Sequence, residues 1–171
     1  ATRPNRRSTN TGSAPRSEPC HCRAMRYLLG ANTLNDMLIK GSAAGRWLAT
    51  VNPAECSLSV VAVAIARSTV RSATLPEIRR QRAANTLEHS LQRIINQAGE
   101  PLVVDDKVAQ VWSQLRLQTG LLYERDGQQL PVWQDTRVII ATASSYGLML
   151  VEPRELYHAA LQALGITVQS L

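Results

Sequence analysis

Asp135 and Thr136 open an apolar run (VIIATA), and Glu152 and Glu155 follow the next one, Leu148-Met149-Leu150-Val151. Carboxylates on either side of such a unit could hold a hard divalent cation, which takes oxygen ligands. Nearer the N-terminus, Asn32 and Asp36 lie among Leu34, Met37 and Leu38, spaced as on one helix face. These are the side chains whose types suit metal-assisted chemistry. Other candidates have plainer readings. Asp105 or Asp106 caps a following helix. Cys20-His21-Cys22 has no second ligand pair, so it falls short of a zinc site. His89 and His158 have no serine or cysteine arranged as a partner, so a nucleophilic triad is unsupported. No Gly-rich phosphate loop is present.

The elements that must position these groups follow from periodicity. Arg26–Leu29 reads as a first strand ending at Gly30. Asn32–Lys40 reads as a helix, with Asn32 or Thr33 as its cap. Ala43–Val51 is a second helix, Cys56–Val61 a second strand and Ala62–Arg71 a helix running straight on. Pro76 begins the longest helix, Glu77–Ala98, closed by Gly99. Its Arg79, Arg80 and Arg82 read as a solvated face. Pro101–Val104 is expected to be a third strand, and residues 118–134 a loop. Residues 136–146 form a helix stopped by Gly147, residues 148–151 a buried strand, and Pro153 starts a last helix before an edge strand at Ile166–Val168. Alternating strands and helices predict an α/β fold of three layers, α/β/α, around a central parallel sheet. Ligands of such sheets bind beyond the carboxyl ends of the strands.

The chain has 171 residues, 44% of them hydrophobic, enough for one domain with a substantial core. Its net charge of +6 is uneven. Residues 1–24 carry five Arg and one Glu, leaving fourteen basic and twelve acidic residues for the rest. The basicity belongs to the tail, not to a nucleic-acid-binding face on the body. That tail is expected to be disordered, and Met25 stands where the compact domain, 25–171, would begin. Three irregularly spaced cysteines suit a reducing, cytoplasmic setting. No run has the ~20 apolar residues of a membrane span.

Four segments in order resemble the PIN-domain nucleases, closest to the VapC-type toxins of toxin–antitoxin pairs. MRYLLGANTLNDML is similar to the family's opening strand and helix, hLLDTNhLsEL. LSVVAVAIAR resembles LSVVTLAELR, and PLVVDDKVAQVWSQLR resembles the family's strand followed by a helix with an inward Trp. IIATASSYGLMLV is similar to IAATALAHGLTLV across helix, turn and strand without a gap. The resemblance covers about residues 25–170. It implies a Mg²⁺- or Mn²⁺-dependent endoribonuclease acting on tRNA or mRNA, a homodimer, and an antitoxin whose helix lies over the acidic mouth. The departures fall on the acids. The first family acid falls on Gly30 and its flanking Thr on Ala31, the second on Ile65, and the third on Thr136, with Asp135 one residue early. A fourth falls near Arg154, beside Glu152 and Glu155. Asn32 is retained, and Asp36 sits where a helix acid is common.

Two oxygen ligands are thus replaced by Gly30 and Ile65, and a cation is added at Arg154, which weakens any hard-ion site. Asp135 reads more simply as a helix cap than as a residual ligand. The expectation is a catalytically impaired module that binds RNA or an antitoxin. One alternative is a weak ribonuclease using Asp135 with Asp36 and Glu152 or Glu155, its metal held by Asp135, Glu152 and Glu155. The other is a decayed, non-functional toxin.

Overall fold

The computed structural model describes residues 26–119, 121–125, 127–153 and 158–171. The tail with Cys20-His21-Cys22, Met25, Arg154 and Glu155 lie outside them. In chain order the described elements are β1 (Tyr27–Leu29), α1 (Ala31–Asp36), α2 (Ala43–Thr50), β2 (Cys56–Ser57), α3 (Val60–Ser72), α4 (Glu77–Ala98) and α5 (Asp106–Leu117). They continue with β3 (Leu122–Arg125), β4 (Gln128–Pro131), α6 (Gln134–Tyr146), β5 (Met149–Glu152), α7 (His158–Ala163) and β6 (Val168–Ser170). A short 3₁₀ turn, Pro53–Glu55, precedes β2.

The four-stranded sheet has the order β2-β1-β5-β6, and every pairing in it is parallel. Leu28, Leu29, Leu150 and Val151 on the two central strands are fully buried. Strands this apolar are covered on both faces, as the three-layer α/β expectation requires. The register places Leu29 opposite Val151, so Gly30, where β1 ends, lies beside Glu152, the last residue of β5, at the carboxyl edge of the sheet.

Several boundaries differ from the sequence expectation, each for a local reason. The second strand stops at Ser57 because Ser59 caps α3: its Oγ accepts from Ala62 N at 3.0 Å, turning the apolar VVAVAIA run into helix. Pro101–Val104 is not a strand but a single bridge, Leu102 against Ser59. A two-residue β2 offers little to pair with, and Val103 and Val104 are exposed. The first helix ends at Asp36, not Lys40. Neither Asn32 nor Thr33 caps it; Gly30 holds the cap position, and Thr33 Oγ1 donates to Val151 O at 2.7 Å, tying α1 to the sheet. The expected loop over 118–134 contains the antiparallel β3–β4 hairpin. The last edge strand is shifted to Val168–Ser170, where it pairs with β5. The long helix α4 is observed as expected, with Arg79 and Arg82 exposed and Arg80 paired to Glu77.

Candidate functional site

One face of α3, along its whole length, and the first turn of α6 line one open cleft. Its walls are Val60, Val61, Ala64, Ile65, Ser68, Thr69, Ser72 and Asp135. The α3 residues recur at helical spacing, so one face of that helix forms a wall that is apolar at one end and hydroxylated at the other. Among the described residues, Asp135 is the one ionisable side chain lining it. Ile65 and Asp135 are therefore brought together, as expected of positions at one mouth.

Asp135 is not the cap of α6. The helix starts at Gln134, Trp133 holds the cap position without a side-chain bond, and Asp135 lies in the first turn. There its charge faces the positive pole of the helix, which favours a carboxylate without using it as a cap. The far end of α6 closes on Gly147, whose φ of 64° is left-handed and suits glycine, with Leu148 N donating to Ala143 O. Between these ends Ile139, Ile140, Ala141 and Ala143 are buried, which fixes the rotation of α6 and hence the side on which Asp135 emerges.

The other candidates do not join Asp135 in one group. Asp36 is committed to local structure: its Oδ2 accepts from Ala44 N at 3.2 Å in the first turn of α2. Asn32 is exposed and Thr136 half-buried. Glu152 is only 2% exposed, packed against Gly30. Among the described residues, no three His, Cys, Asp or Glu side chains come together as a group able to hold a metal ion. Ile65 contributes a hydrocarbon wall beside Asp135 and no ligand oxygen. The described donors thus do not fit a Mg²⁺ or Mn²⁺ site, which needs several oxygens around one centre.

Three contacts around α6 and the sheet edge are not visible in the sequence: those of Arg137, the Asp105–Tyr146 bond and the approach of Glu152 to Gly30. Arg137 is buried at 4% exposure with no described carboxylate beside it. Its guanidinium donates to Val132 O at 2.9 Å, Leu115 O at 2.6 Å, Arg116 O at 3.3 Å and Gln118 O at 3.1 Å, with Leu121 O at 3.5 Å. Three of these carbonyls belong to the C-terminal end of α5, the negative pole of that helix. One cation thereby fastens α5 and the approach to the hairpin onto the second turn-forming residue after Asp135. A single Arg within an apolar helical run was the available signal. The second is Asp105, which caps α5 by accepting from Val108 N at 2.9 Å and also accepts from Tyr146 Oη at 2.8 Å. The Val108 bond, then the Tyr146 hydroxyl, hold its carboxyl below the usual range; the same contact raises the Tyr146 phenol. The third is Gly30 against Glu152, which only the strand register discloses. Cys56 is also buried, and desolvation, with Glu55 nearby, pushes its thiol up to about 11, so it is inert packing.

No protein-family model matches the chain, and no curated protein does. Solved structures do match. FitAcB from Neisseria gonorrhoeae is 23% identical, covering 83% of this chain and 95% of that one, with a TM-score of 0.60. VapBC2 from Rickettsia felis, bound to a DNA fragment from its promoter, is 16% identical, covering 86% and 99%, with a TM-score of 0.59. VapBC-5 from Mycobacterium tuberculosis, a member of the VapBC family of toxin–antitoxin systems, is 20% identical, covering 86% and 98%, with a TM-score of 0.54. The toxin of these complexes is a PIN domain, and the chain has the PIN-domain fold.

Proposed function

We propose that this chain is a non-cleaving PIN-fold module that binds an antitoxin-like protein segment in the α3–α6 cleft. PIN toxins generally use a divalent metal for RNA cleavage. The observation that carries the proposal is the cleft lining: Val60, Val61, Ala64 and Ile65 beside the carboxylate of Asp135. Such a wall complements an amphipathic helix, which lays its apolar face into a hydrophobic groove. A basic side chain on that helix would complement Asp135. RNA fits less well, because a polyanion is repelled by Asp135 and the body outside residues 1–24 carries a net charge of only +2. The similar solved chains come from toxin–antitoxin complexes, which supports a protein partner. The homodimer implied by the resemblance is kept as part of this reading, checked by sedimentation.

The weak-ribonuclease reading needs Asp135, Asp36 and Glu152 or Glu155 around one ion. The commitment of Asp36 to Ala44 N and the burial of Glu152 speak against it. The test is incubation of the purified full chain with total tRNA and with mRNA in millimolar Mg²⁺ or Mn²⁺. No cleavage is expected. Metal-dependent cleavage that disappears in Asp135→Ala overturns the proposal. In a second arm, a helical peptide with an apolar stripe and one arginine binds the wild type and loses affinity for Ile65→Lys. Binding that ignores Ile65→Lys overturns the placement of the partner.

A further inference from the structure

Gly30 is the residue at which β1 leaves the sheet, and its backbone does not require glycine. Its φ of −76° and ψ of 167° are ordinary extended values that any side chain adopts. The obstacle to a side chain lies elsewhere. A Cβ built on Gly30 would fall on the Glu152 carboxyl, overlapping Oε1 and Cδ and coming within 2.8 Å of Cγ. Glu152 is the last residue of β5, one position after Val151, which pairs with Leu29, and it is almost wholly buried. Its carboxyl therefore lies in the volume that a residue-30 side chain would occupy.

We infer that Glu152 and Gly30 are one interlocked pair, in which β5 supplies the carboxylate and the bulk that position 30 lacks on β1. The carboxyl edge of a parallel sheet is where this class of fold presents its ligand-binding groups. By the resemblance described above, position 30 is that of an acid. On that reading Glu152 brings a carboxylate from β5 to the place where the family carries an acid on β1. The steric half of the inference stands without any functional reading, and the carboxylate half rests on the PIN resemblance. Two consequences follow from the geometry. Glycine at 30 is required only while Glu152 is present. An acid restored at 30 is accommodated only when Glu152 is shortened.

The test is a thermal-unfolding cycle on the full chain. In the wild-type background Gly30→Asp is expected to lower Tm by about 5 °C or more, because two side chains compete for one filled volume. In the Glu152→Ala background the same Gly30→Asp substitution is expected to raise Tm, since it refills the space that Glu152 vacated. This change of sign is the result that supports the pair. A fall in both backgrounds overturns it. Should Glu152→Ala fail to fold, Glu152→Asp serves instead. Its carboxyl stops one methylene short, so Gly30→Ala costs less there than in the wild type, and an equal cost overturns the pair. To separate a displaced acid from simple space filling, Gly30→Asp is compared with Gly30→Leu, both in Glu152→Ala. Better rescue by Asp supports the carboxylate half. Equal or better rescue by Leu overturns that half, leaving a packing pair with no inherited acid. Neither result depends on whether the chain cleaves RNA or binds a peptide, so failure here is distinct from failure of the proposed function.

Discussion

Arg137 shows how a side chain outside the candidate site can decide whether the site forms. Its guanidinium is buried among carbonyls of Val132, Leu115, Arg116 and Gln118. Removing it leaves several acceptors without donors in a low-dielectric environment. Arg137→Met is therefore expected to destabilise the chain by roughly 3 kcal/mol, read from urea unfolding. A loss below about 0.5 kcal/mol, the range of ordinary surface changes, would contradict the assignment. Asp105 makes a pH prediction of known sign. Its carboxyl is held below the usual range by Val108 N and Tyr146, so its stabilisation is present above its unfolded pKa of about 3.9 and lost as pH falls through the lower folded value. Asp105→Asn should therefore flatten the acid side of a Tm-versus-pH profile and leave the neutral region's slope unchanged. An unaltered acid limb counts against the bond. Asp105 was legible in the sequence as a cap. Its Tyr146 partner was not, because the two are brought together only by the packing of α5 on α6. Gly30 and Ile65 were legible as departures from an acidic pattern, whereas the carboxyl of Glu152 lying over Gly30 depended on strand register.

Helices were read from sequence where periodicity and stop signals agreed. Glu77–Ala98 runs between Pro76 and Gly99, and α6 ends at Gly147 with positive φ. Short strands were read less well, since β2 is two residues long and its apolar continuation becomes α3. The information that decides this is the hydroxyl of Ser59, which is fully buried and bound to Ala62 N. Ser59→Ala should cost about 1 kcal/mol of stability, as loss of a helix cap does. It should also loosen the first turn of α3, seen as faster amide exchange at Val61 and Ala62. Unchanged exchange there would remove Ser59 as the cause of the strand-to-helix switch. The β3–β4 hairpin was missed although Asp126-Gly127 is a strong turn signal. Its strands lack a clean apolar alternation, with Gln128 and Gln129 exposed, so composition there reads as loop.

At the scale of the whole molecule, the parallel order β2-β1-β5-β6 sets the ends of β1 and β5 side by side, and one face of α3 meets the first turn of α6 across a cleft. The architecture expected from alternating elements is the one observed, and solved PIN-domain complexes share it. The acidic side chains of this chain are dispersed among the described residues. Asp36 binds the start of α2, Glu152 fills the place beside Gly30, and Asp135 lines the cleft beside the hydrocarbon of Ile65. The proposed function rests on this mouth not gathering a divalent ion. A ligand that binds only the folded chain raises its stability in proportion to the logarithm of its concentration. The direct measurement is Tm of the full chain across a Mn²⁺ and Mg²⁺ series from chelator to millimolar metal. The account predicts a flat line for wild type and Asp135→Ala alike. A saturable rise in wild type that Asp135→Ala abolishes would contradict it.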